Sequence, residues 1–168
     1  MTSTTFRTLG ALSLVAAAIV AGPAVAATDT DTIDVSATVT SNCVVVANPI
    51  EFGDVDVTSG SNVDGSGTIS VTCTSGTAWA ASADAGVGTG ASLAVRKMAN
   101  GANLLNYSLY TNSAGGTLWG DGTTGGLISD TGSGSAQSKT FYGRVSSGQS
   151  SLPAGAYDDT VTVTVTYL

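Results

Sequence analysis

The sequence predicts an all-β protein, a two-sheet sandwich of immunoglobulin-like type. Three observations lead there: apolar residues alternate with Thr, Ser and Asp in segment after segment, apolar residues at helical spacing are almost absent, and Gly-rich stretches separate the alternating runs. Strands of this length recurring about every ten residues are the pattern of a β-sandwich. The 168 residues suit one domain, and an apolar content of 42% supplies an ordinary packed core.

Taken in order, residues 1–26 have the three parts of a secretory signal. Arg7 gives the positive start, LGALSLVAAAIVAG (9–22) is an uncharged apolar stretch, and Ala24-Val25-Ala26 after Pro23 is a peptidase site, so cleavage is expected before Ala27. The apolar stretch is shorter than the roughly 20 residues of a membrane-spanning helix, so an exported, unanchored chain is expected. IDVSATVT (33–40) then sets Ile33, Val35, Ala37 and Val39 on one face and polar residues on the other, as a half-buried strand requires. CVVVA (43–47) and IEFGDVDV (50–57) flank Pro49, and the turn-rich SGSNVDGSG (59–67) leads into a strand at TISVTCT (68–74). Further strands are expected at TAWAASADA (77–85), SLAVRKM (92–98), NLLNYSLYT (103–111), Leu118–Trp119, LIS (127–129) and KTFYGRVS (139–146). The last, Tyr157 to Leu168, places Val161, Val163, Val165 and Tyr167 on one face and four threonines on the other. Beyond the signal, residues 27–42 form an extension and 43–168 a single domain with no internal boundary.

Composition excludes several functions. With 5 Lys+Arg against 12 Asp+Glu and a net charge of −7, a nucleic-acid partner is not expected. The absence of histidine removes Ser-His-Asp and Cys-His catalysis and imidazole metal ligation, so no catalytic residue, cofactor or metal is assigned and the chain is read as a non-enzyme. The glycine loop GVGTGA (86–91) has no basic residue and no helix after it, so it reads as an interstrand turn. Asp29 and Asp31, and the Asp-Gly pairs at 64–65 and 121–122, lack the distal glutamate of a calcium loop. The sole glutamate, Glu51, faces outward on an alternating run, which leaves no glycosidase-like carboxylate pair. Trp79, Trp119, Tyr107, Tyr110, Phe141 and Tyr142 read as core or cross-strand aromatics, and Arg96, Lys97, Lys139 and Arg144 as solubilising charges on strand faces. Cys43 and Cys73 lie 30 positions apart in β-type runs, and in an exported chain they are expected to form a disulfide.

The two best strands pose a problem of edges. One precedes the first cysteine without a local hairpin partner, and the other ends the chain without a covering strand. Either both pair within a self-contained sandwich, or each subunit lacks a strand that the amino-terminal extension of a neighbour supplies, so that head-to-tail repetition makes a filament.

SNCVV (41–45), ISVTCTSGT (69–77), VRKMANGANLLNYSLYTN (95–112), LWGDGT (118–123), FYGRV (141–145) and LPAGAYDDTVTVTVTYL (152–168) together resemble the spore coat protein U domain family, found in subunits of archaic, Csu-type chaperone–usher pili. The resemblance covers the whole chain after the signal. It implies an incomplete immunoglobulin-like sandwich completed by a donor strand, given first by a periplasmic chaperone and then, at an outer-membrane usher, by the extension of the next subunit. It also implies a cell-surface pilus that supports adhesion and biofilm formation, reached through the periplasm, with related subunits as neighbours. Pilus subunits of this wider class carry a penultimate aromatic and a glycine fourteen places from the end, matched here by Tyr167 and Gly155. By that resemblance Gly155, Val161, Val163, Val165 and Tyr167 belong to the strand that meets the chaperone and lines the acceptor groove. Ile33, Val35, Ala37 and Val39 are the donor side chains. Tip subunits of this type carry a second, adhesive domain, and the 142 residues left after removing 26 from 168 hold only one, which favours a shaft or adaptor subunit. A minor adaptor, an adhesive binding module and a self-contained secreted coat protein are the competing readings.

Overall fold

The computed structural model describes residues 22–168. The signal-peptide reading falls mainly on residues 1–21, which lie outside the described residues. The chain divides into two units, Met1–Ala37 and Thr38–Leu168. In the first, residues 22–37 carry neither helix nor strand; Ile33 is 87% and Val35 91% exposed. The half-buried strand expected over 33–40 is therefore not formed, and Val39, at the start of the second unit, is 83% exposed. Period-two patterning records a capacity to pair with one face buried; it does not supply the partner.

The second unit has eight strands and, among the described residues, no helix. They are β1 (Cys43–Ala47), β2 (Val63–Cys73), β3 (Ala78–Ala83), β4 (Arg96–Asn100), β5 (Asn103–Tyr110), β6 (Ile128–Thr131), β7 (Ala136–Val145) and β8 (Val163–Tyr167). A five-stranded sheet runs β1-β2-β7-β5-β4 and a three-stranded sheet runs β6-β3-β8, with every pairing antiparallel. Alternation decides which side chains meet between the sheets. Ile69, Val71, Leu105, Tyr107, Leu109, Phe141 and Val145 point inward from the large sheet, and Trp79, Ala81 and Ala83 from the small one. Trp119 is 0% exposed; its indole N–H donates to the Ala81 carbonyl at 2.9 Å and its ring lies 5.0 Å from that of Phe141. Four of the six singled-out aromatics, Trp79, Trp119, Tyr107 and Phe141, are thus core residues, as expected.

Cys43 and Cys73 are bonded and face each other directly in the β1–β2 register, with Cα atoms 4.1 Å apart. That short spacing belongs to a non-hydrogen-bonded antiparallel pair, the position where side chains approach most closely. The bond fastens the edge strand β1 to its neighbour.

Four segments of the second unit differ from the sequence reading. β2 starts at Val63, inside the stretch read as a turn, and Gly65 and Gly67 are ladder residues rather than breakers. Residues 50–57, read as a strand, have no ladder and instead cross the inner face of the large sheet. Gly65 and Gly143, opposite each other in β2 and β7, make room for that crossing: a Cβ at Gly143 would stand 2.7 Å from the Phe52 ring, and one at Gly65 would stand 3.3 Å from it. Leu118 and Trp119 form isolated bridges rather than a strand, and the final strand begins at Val163, not Tyr157.

Candidate functional site: a groove between two free strand edges

Each sheet presents an edge strand on the same flank, β1 from the large sheet and β8 from the small one. At one end they touch through polar groups: the Tyr167 hydroxyl donates to Asn42 Oδ1 at 3.4 Å, and the Ser41 hydroxyl to the Leu168 carbonyl at 3.5 Å. Backbone alternation fixes what the edges offer. Thr74 N–H donates to the Asn42 carbonyl and Asn48 N–H to the Thr68 carbonyl, so even-numbered residues of β1 face β2. Asp84 N–H donates to the Thr162 carbonyl and Leu168 N–H to the Ala78 carbonyl, so even-numbered residues of β8 face β3. The N–H and C=O groups of Cys43, Val45 and Ala47 on one side, and of Val163, Val165 and Tyr167 on the other, consequently point away from their sheets. Side chains of those odd-numbered residues lean inward, with Cys43, Val45, Val163 and Val165 half-buried against the core.

A cavity of about 340 Å³ opens between residues 47–50 and 159–163, with Tyr107, Leu109, Trp119 and Phe141 beneath it. A second, of about 670 Å³, continues between residues 50–57 and 152–158 over Leu105, and Ile50 lines both. This is an apolar trough with main-chain donors and acceptors along its rims, the chemistry that receives an extended strand. Among the described residues no group of three or more His, Cys, Asp or Glu is placed to hold a metal ion.

The expected acceptor residues separate along this trough. Val161 and Val163 line the smaller cavity, Gly155 lines the larger, and Val165 packs against the core further along β8. Tyr167 lies at the closed end beside Asn42, bordering a separate depression with Trp79 and Leu168. A Cβ at Gly155 would collide with the Asn100 side chain, so glycine lets this part of the wall rest on β4. The opposite wall, Ile50, Phe52, Val55 and Val57, was not singled out by the sequence, although the alternation in IEFGDVDV carried the signal.

Beside the smaller cavity lies a polar cluster that composition did not reveal. Arg96, read as a solubilising surface charge, is 0% exposed because β4 turns it inward opposite Tyr107. Its guanidinium donates to the carbonyls of Asp84 (2.8 Å), Leu93 (3.2 Å), Ala83 (3.2 Å) and Trp119 (2.7 Å). Burial lowers its pKa from the ordinary value, and the neighbouring charges of Asp84 and Asp159 work against that shift. The Tyr107 hydroxyl donates to Asp159 Oδ2 at 2.7 Å, and burial together with that bond pushes the phenol well above its ordinary pKa. For Asp84, burial acts to raise the pKa, but N–H donors from Gly86 and Thr162 outweigh it and hold the carboxyl below its usual value.

Residues 29–164 match the family described as the Spore Coat Protein U domain. Protein U of Myxococcus xanthus is 32% identical over 174 aligned positions, covering 95% of this chain and 96% of that protein. Among solved structures, a chain of the chaperone–tip adhesion subunit pre-assembly complex from the archaic chaperone–usher Csu pili of Acinetobacter baumannii is similar at 25% identity with a TM-score of 0.53. That match covers 76% of this chain and 40% of the other, so the present chain spans less than half the length of its structural relative.

Proposed function

The chain belongs to the Spore Coat Protein U domain family, and we propose that it is an exported structural subunit of a surface fibre assembled by strand donation. The observation that carries this reading is the trough itself: two edges, β1 and β8, unpaired among the described residues, whose odd-numbered backbone groups face outward above an apolar floor. A strand lying there would pair on both sides and cover Ile50, Val161 and Val163 in one step. In this reading a periplasmic chaperone occupies the trough first. An outer-membrane usher then exchanges the chaperone strand for residues 27–42 of the next subunit, with Ile33, Val35, Ala37 and Val39 as the inserted side chains. The exposure of Ile33, Val35 and Val39 supports the role, because an alternating apolar face left in water gains most by burial in another molecule. The relationship to a chain of a chaperone–subunit complex supports the same partners. The resulting fibre is placed at the cell surface, where it serves adhesion and biofilm formation.

Deleting residues 28–40 from the chain tests the reading. The truncated chain is expected to accept a donor from an intact copy but not to extend a polymer, so intact chains give heat-sensitive, SDS-resistant ladders and truncated chains alone give none. Ladders of normal length from the truncated chain would support a different contact, and stable monomer from the intact chain without any partner would support a self-contained coat protein.

A further inference from the structure

We propose that Asp84 and Asp159 form a clasp that holds one rim of the groove open before any strand arrives, a role that rests on reading the groove as a strand acceptor. Residues 159–162 form the wall above Trp119, yet they precede β8, which begins at Val163. What fixes them is a pair of carboxylates working in opposite directions. Asp159, on the rim, reaches to the loop after β3: its Oδ1 accepts from Val87 N–H and from Thr160 N–H, each at 2.8 Å. Its Oδ2 accepts from the buried Tyr107 hydroxyl at 2.7 Å. Asp84, at the end of β3, reaches back to the rim, where its Oδ1 accepts from Thr162 N–H at 2.9 Å; the same oxygen accepts from Gly86 N–H at 2.9 Å. Its own N–H donates to the Thr162 carbonyl at 3.0 Å.

Two further features fit this arrangement. Gly86, the first residue of the GVGTGA loop, has φ +78°, and a Cβ there would collide with the Asp159 carboxylate. Arg96 anchors the other side of the clasp by binding the carbonyls of Ala83, Asp84, Leu93 and Trp119, so the loop that Asp159 grips is itself fastened to the core. The Thr162 N–H is thereby engaged by Asp84 beside β3 and the Thr160 N–H by the adjacent Asp159 carboxylate, and Val161 and Val163 are left to the groove. Apolar walls left to themselves gain by closing on one another. The clasp opposes that closure, so an incoming strand meets a groove already shaped for it and need not order the rim.

The test uses the chain from residue 27 onward and a fluorescent synthetic peptide of residues 28–40, with association and dissociation rates measured separately. Asp159→Ala, which removes the acceptor of three hydrogen bonds, and Gly86→Ala, whose Cβ displaces that carboxylate, are expected to slow association about tenfold or more, with dissociation unchanged. Asp159→Asn keeps an acceptor at Oδ1 and is expected to stay within about twofold of the parent. Tyr107→Phe, which removes a single hydroxyl and spares the packing, is expected to slow association about threefold, and serves if an alanine variant fails to fold. Hydrogen exchange without peptide should find the Thr160 and Thr162 amides slow in the parent and in Asp159→Asn, and fast in Asp159→Ala. Peptide uptake by the parent with parental association rates in the folded variants would overturn the clasp alone, as would fast exchange at both amides in the parent. No uptake by the parent would overturn the acceptor reading and the clasp with it.

Discussion

A guanidinium ringed by four carbonyl oxygens, as Arg96 is, cannot be replaced by a side chain of similar bulk without leaving those oxygens unpaired. Arg96→Met is therefore expected to cost about 3 kcal/mol or more in urea unfolding, where loss of a surface charge would cost almost nothing. Its burial was legible only in part. Arg96 alternates with Met98 on the inward face of its strand, but a charge in a polar-rich loop-and-strand stretch reads as solvated until Tyr107 is known to stand opposite. Tyr107 gives a second handle. Its phenol is held protonated in the fold above the ordinary value of about 10, so the stability it contributes is complete below that pH and is lost as pH rises past it. Urea midpoints measured between about pH 8 and 11 should fall more steeply above pH 10 in the parent than in Tyr107→Phe; parallel slopes would show that the hydroxyl carries no linked proton.

At the scale of elements, the cysteine-bonded pair β1–β2 matters most, because β1 is both an edge strand and a wall of the groove. Replacing Cys43 and Cys73 together by serine is expected to lower stability by about 3.5 kcal/mol, the loop-closure value for a separation of 30 residues, measured as a shift of the urea midpoint. The strands with strict alternation and β-branched residues, β2 after Thr68 and β8, were legible because period two leaves one face no alternative to the core. Residues 50–57 misled by the same rule. Their apolar side chains do face the core, as read, but they reach it by crossing over Gly65 and Gly143 rather than by joining a ladder. Gly65 reads in the sequence as a turn marker and Gly143 as one residue of the strand over 139–146, since a sequence does not say whether glycine is there for its backbone freedom or for the space that it leaves. The proposed acceptor residues Val161 and Val163 follow from family resemblance, and the proposed clasp beside them has no local sequence signal because Asp84 and Asp159 are 75 positions apart.

At the scale of the whole molecule, the edges of β1 and β8, unpaired among the described residues, flank a trough that in the proposed function another strand completes. Backbone alternation turns that arrangement into an odd–even signature. In the isolated chain the amides of Val45, Ala47, Val163 and Val165 point out of their sheets, whereas those of Val44, Val46, Thr164 and Thr166 are engaged with β2 and β3. Hydrogen–deuterium exchange resolved to single amides, compared between isolated and polymerised chains, reads this directly. Fast exchange at the odd-numbered amides in the isolated chain, changing to strong protection in the polymer while the even-numbered amides stay slow in both, is the expected result. Slow odd-numbered amides in the isolated chain, or no change on polymerisation, would contradict the account.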